Sequence, residues 1–146
     1  MADAAKPYEG ALPRPTPETK AFWDGARAHK LLLPWCNDCG EPHFYPRSIC
    51  PHCLSSNLEW RLASGRGKLH TYVINHKPAK GRTAPYVIAV IELAEGPRML
   101  SNVETDGEPT PEKLIIDMDV EVFFDDVTDE ITLPKFRAVN IGAVAE

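Results

Sequence analysis

Four cysteines, Cys36, Cys39, Cys50 and Cys53, fall within eighteen residues in the order C-x2-C-x10-C-x2-C, and no other cysteine is present. Two C-x-x-C knuckles suit a tetrahedral thiolate site, each supplying two sulfurs to adjacent corners around one zinc ion. Gly40 follows the first pair, where the tight knuckle needs an unhindered backbone, and Pro51 sits inside the second. Disulfides are the competing reading. The N-terminus Met1-Ala2-Asp3-Ala4-Ala5-Lys6-Pro7 has no apolar signal segment, so a reducing, cytoplasmic setting is expected and zinc is favoured. A thioredoxin-type redox pair needs one C-x-x-C at a helix start, not two knuckles facing each other. Four thiolates close the shell, so the metal is expected to be structural, with His43 and His52 superfluous as ligands. With every thiol committed, none remains as an acyl-transfer nucleophile.

The rest of the chain has the size and balance of a small soluble fold. Its 146 residues are 43% hydrophobic and 25% charged, and fourteen prolines argue against a helical bundle. The longest apolar run, Tyr86 to Ile91, is far short of a membrane span, so no membrane partner is expected. Charge is uneven. Residues 61–82 carry Arg61, Arg66, Lys68, Lys77, Lys80 and Arg82 and no acid, whereas residues 83–146 carry four basic and fourteen acidic side chains. The basic stretch reads either as loop charge balancing an acidic tail or as a local anion site. The acids Asp117, Asp119, Glu121, Asp125, Asp126, Asp129 and Glu130 lack the spacing of a calcium loop and are expected to solvate a sheet edge.

Local patterns place the elements. Thr16 can cap a helix with Pro17 at its first position, and Phe22, Trp23 and Ala26 form a stripe of helical period through about His29. So short a helix has little of its own core to cover, and Phe22 and Trp23 are expected to dock on a partner; the alternative is that the stripe folds back onto this chain. Leu31-Leu32-Leu33 then runs extended into the first knuckle. Beyond the knuckles five strands are expected. Lys68–Asn75 has Leu69, Thr71, Val73 and Asn75 on one face and His70, Tyr72 and Ile74 on the other. Tyr86–Leu93, Arg98–Val103, a strand through Val120, Val122 and Phe124, and Phe136–Val139 after Pro134 complete the set, with a turn or short helix at Pro109–Leu114. Five strands with one long loop after the first fit an OB-type barrel. The fold class expected is therefore mainly β: an N-terminal extension and helix over 1–34, a zinc ribbon over 35–60 and a five-stranded OB-fold over 61–146.

No catalytic motif accompanies these elements. Gly65-Arg66-Gly67 lacks the third glycine of a dinucleotide fingerprint, Gly67-Lys68 is followed by Leu69 rather than a P-loop hydroxyl, and no G-x-S-x-G occurs.

The series Phe22-Trp23, Leu32, Cys36, Cys39-Gly40, Pro46-Arg47, Cys50-Pro51-His52-Cys53 and Gly65-Arg66-Gly67 resembles the family that joins a rubredoxin-like zinc ribbon to an acyl-CoA-associated OB-fold. The resemblance continues through Pro85-Tyr86-Val87, Gly96-Pro97-Arg98, Val120–Phe124 and Leu133-Pro134-Lys135-Phe136, covering roughly residues 16–140; Asp117 stands where the family more often has glycine. It implies an accessory subunit that accompanies a thiolase-fold partner and helps to form or border an acyl-CoA site, the partner carrying the chemistry of condensation, cleavage or hydration. A CoA border needs cations and a stacking surface, which Arg66, Lys68, His70, Tyr72, His76, Lys77, Lys80 and Arg82 offer. The alternative is a single-stranded nucleic-acid binder, a role open to zinc ribbons and OB-folds alike, against which the acidic second half of the chain weighs.

Overall fold

The computed structural model describes residues 8–139; the outer ends of the first and last expected segments lie outside them. In chain order the elements are α1 (Lys20–Arg27), β1 (Leu32–Cys36), β2 (Leu58–Leu62), β3 (Arg66–Asn75), β4 (Tyr86–Leu93), β5 (Arg98–Glu104), a 3-10 turn (Pro111–Lys113), β6 (Asp119–Asp126) and β7 (Thr132–Ala138).

The helix is shorter than the sequence suggests. Residues 17–19 form a turn in which the N–H groups of Thr19 and Lys20 both donate to Thr16 O, and Thr19 Oγ1 accepts from Thr16 N–H at 2.8 Å. Thr16 Oγ1, the hydroxyl expected to cap, is instead 3.1 Å from Thr19 Oγ1, and regular helix begins at Lys20. It ends at Arg27, where Lys30 N–H reaches back to Gly25 O and His29 adopts a left-handed φ of 60°.

β1 and β2 pair antiparallel from Leu32↔Leu62 to Cys36↔Leu58, so the ribbon's own ladder begins before residue 35 and ends after residue 60. β2 was not anticipated. The remaining strands close a barrel in the order β3-β4-β5-β7-β6, antiparallel except for β5 against β7, as an OB-fold requires.

β3 corrects the expected facing. Leu69 opposes Ile91 and Thr71 opposes Val90, leaving His70 as an extra residue in a β-bulge. The insertion reverses the alternation. Leu69 packs in the core together with Tyr72 and Ile74, while Thr71 and Val73 turn to solvent. Gly67 is required nearby, because a Cβ there would stand 2.7 Å from Glu92 O on β4.

β6 is not an edge, since it pairs with β3 on one side and β7 on the other. Its acids are paired rather than merely solvated: Asp119 with Lys68, Glu121 with Arg137, Asp125 with Lys135 and Asp126 with His29. β7 begins at Thr132, ahead of Pro134 rather than after it. The core is one cluster in which Phe22, Leu31, Leu33 and Ala63, from the helix and ribbon, meet Leu69, Ile91, Val120 and Phe136 of the barrel.

Candidate metal centre and flanking groove

The knuckles are built alike. Gly40 N–H donates to Cys36 O at 2.9 Å and Leu54 N–H donates to Cys50 O at 2.8 Å, each from a left-handed residue immediately after its C-x-x-C pair. The four Sγ atoms lie within 4.8 Å of one another, with Cys36–Cys53 at 3.5 Å and Cys39–Cys50 at 3.7 Å. Zinc–sulfur bonds of about 2.3 Å at tetrahedral angles put sulfurs roughly 3.8 Å apart, so this donor set fits a zinc ion. The N–H of Cys39 points at Cys36 Sγ and that of His52 at Cys50 Sγ. Cys36 is held down to about 7, first by that Cys39 N–H. The cysteines form a structural zinc site, all four positions being filled by sulfur. His43 stands apart from it, buried, and burial lowers its pKa.

The residues expected to border CoA are not brought to one place. Arg66 and Lys68 open β3, whereas His76, Lys77, Lys80 and Arg82 sit on the loop beyond its far end. Most of β3 parts the two groups, roughly 25–30 Å at ~3.3 Å per residue. Lys68 is engaged by Asp119 at 2.9 Å, Tyr72 packs against the core, and His70 occupies the bulge. The loop is tied at its base, where Asn75 Nδ2 donates to Tyr86 OH at 2.9 Å and Asn75 Oδ1 accepts from Lys77 N–H at 3.0 Å. Arg82 lies over the Tyr86 ring at 5.5 Å.

Phe22 corrects the docking expectation, because it is 1% exposed and belongs to this chain's own core. Trp23 packs edge-on against it at 4.9 Å and stays half-buried, its Nε1–H directed to Tyr45 OH at 3.3 Å. Beside Trp23 runs a groove of about 460 Å3 lined by Phe22, Tyr45, Leu100, Leu133, Arg82 and Arg98 among others. A smaller cavity of about 340 Å3 shares its Arg82, Asn102 and Lys135. Sequence reasoning missed Tyr45, Arg98, Leu100 and Leu133, which lie on three separate segments with no common spacing.

A zinc ribbon built onto an OB barrel defines the class of protein. Residues 23–59 match the rubredoxin-like zinc ribbon domain of ChsH2 and residues 60–125 its C-terminal OB-fold domain; the chain belongs to this family. It is 34% identical over 129 residues to a probable enoyl-CoA hydratase alpha subunit of Thermomonospora curvata, covering 85% of this chain and 40% of that protein. It is 35% identical over 107 residues to a DUF35 domain-containing scaffold protein of Pyrococcus furiosus, covering 72% and 76%. Its fold matches a chain of the Ltp2-ChsH2(DUF35) aldolase with a TM-score of 0.77 and 30% identity, covering 86% of this chain and 98% of that one.

Proposed function

We propose that this chain is a non-catalytic scaffold subunit that binds a thiolase-fold enzyme and borders its acyl-CoA site. The observation that carries the reading is the likeness to almost the whole of one chain of a two-component aldolase, the ribbon and barrel being shared together. The zinc site supports it, since closed thiolate coordination leaves neither an open metal position nor a free thiol among the described residues. In this reading Lys77 and Lys80, with His76 beside them, meet CoA phosphates, since Lys68 is already paired and Arg82 lies over the Tyr86 ring. Trp23 is the helix residue left to contact the partner. The acids along β6 oppose a nucleic-acid backbone.

Coexpression with a thiolase-fold protein encoded beside it tests the reading. The two chains are expected to copurify, and CoA-thioester turnover is expected from the pair and not from this chain alone. Lys77→Glu with Lys80→Glu should leave assembly intact and weaken CoA-thioester binding at least tenfold, the scale of losing one or two charge-assisted contacts. Turnover by the purified single chain, or a pair that never associates, would refute the proposal.

A further inference from the structure

The barrel wall is parted along one seam. Val103 and Glu104 of β5 pair with Phe136 and Arg137 of β7, but Arg98–Asn102 pair with β4 alone and Thr132–Lys135 with β6 alone. Pro134 has no N–H to offer across the seam, and its carbonyl is taken by Ser101 Oγ at 2.9 Å. A strand paired on one side only leaves alternate N–H and C=O groups pointing away from its partner. The 460 Å3 groove lies along this parting, lined by residues of both strands and by Trp23, Tyr45 and Leu100, the last 68% exposed.

Cations stand at both ends. Arg98 opens β5, and Arg82 lies toward Asn102, because it also lines the cavity that continues past Val103 to Thr105. Neither arginine makes an ion pair among the described residues, whereas Lys135 is held by Asp125 at 2.7 Å. From Arg98 to Asn102 an extended chain runs about 13 Å, the separation of side chains four residues apart on one face of a strand.

We propose that this groove receives an extended acidic peptide segment, which adds a strand beside Arg98–Leu100 of β5, short of the Ser101–Pro134 contact that closes the seam, sets apolar side chains against Trp23, Tyr45 and Leu100, and directs carboxylates to Arg98 and Arg82. Backbone pairing supplies affinity and alternate side chains supply selectivity, as in strand addition generally. A lipid chain would fill the apolar strip but leave the β5 polar groups unpaired in a drying groove. That the segment comes from the partner subunit rests on the scaffold reading; the groove's preference for such a peptide does not.

The test uses the zinc-loaded chain without a partner, so its failure leaves copurification untouched. The probe is a pool of eight-residue peptides with Asp or Glu at alternate positions and Leu, Val or Phe between them, the tightest member being carried into calorimetry. Saturable binding is expected, with slowed amide exchange at Arg98–Leu100. N-methylation of alternate peptide amides should weaken binding at least tenfold, as should Arg98→Glu and the exposed-site change Leu100→Ser, with circular dichroism of both variants unaltered. Exchanging the acids for lysine should abolish binding. The proposal is overturned if no member binds at millimolar concentration, if N-methylation is without effect, or if decanoyl-CoA or an oligothymidylate occupies the groove where the peptides do not.

Discussion

Leu54 follows the second knuckle at φ 67°, 77% exposed, in the place that Gly40 takes at φ 79° after the first. A left-handed conformation costs an ordinary L-residue roughly 1–2 kcal/mol, and glycine returns part of that through its freer unfolded chain. Leu54→Gly is therefore expected to stabilise the ribbon by about 1 kcal/mol, read as a rise in the denaturant midpoint with zinc bound; a fall would show that Leu54 makes packing contacts its exposure does not suggest. Asp126 carries the pH dependence at this scale. Its carboxylate accepts from Thr132 Oγ1 at 2.5 Å and meets His29 Nε2 at 3.0 Å, and these two contacts, the hydroxyl first, lower its pKa. A depressed folded-state pKa contributes stability that is present above the unfolded value and is lost as pH falls through the folded one. Asp126→Asn should thus be less stable than the parent chain at neutral pH, with the gap closing in acid below the ordinary carboxylate range. A gap that persists there would trace the loss to something other than the charge.

Two adjacent aromatics of α1 should respond in opposite ways. Phe22 is enclosed by the core and by the rings of Trp23 and Phe44, so Phe22→Ala is expected to cost about 3–5 kcal/mol and to lower the melting temperature sharply. Trp23 loses an edge contact and a half-exposed face, so Trp23→Ala should cost roughly 1 kcal/mol of stability while weakening association with a partner by more. Equal melting losses from the two variants would return Trp23 to the core. The sequence could show the stripe but not which of its rings turned inward, because the two are neighbours in the chain and the surface that receives Phe22 includes Phe44 and strands β1 and β7, beyond the helix. The zinc centre was legible in full, since coordination chemistry fixes the ligand type and nearly fixes the spacing. β3 was legible in extent and not in facing, because one inserted residue at His70 inverts every later side chain while leaving the apolar alternation unbroken. β7 was cut short at Pro134, which reads as a strand breaker and is tolerated where β7 has only β6 beside it.

At the scale of the whole chain, the helix, the ribbon and the barrel share one core. Phe22, Leu31, Leu33 and Ala63 lie in the same cluster as Leu69, Val120 and Phe136, Ala63 N–H donates to Leu31 O at 2.8 Å, and His29 stacks on Phe124 at 5.2 Å. Zinc binding to the knuckles is folding free energy for whatever is coupled to them. A ribbon whose inner face is also barrel core passes that stabilisation on to the barrel. The distribution of tryptophan makes this measurable, because Trp23, Trp35 and Trp60 all lie in the helix and ribbon, whereas β-sheet circular dichroism comes mostly from the barrel strands. Urea unfolding of the zinc-loaded chain is expected to give coincident transitions by the two signals, the criterion of an all-or-none unit. Chelation of the metal, or Cys39→Ser, should move both transitions together to lower urea, and metal analysis of the parent chain should return one zinc per chain. A fluorescence change on chelation that leaves the barrel's transition where it was would show instead that the ribbon melts alone and that the shared core contributes little to their coupling.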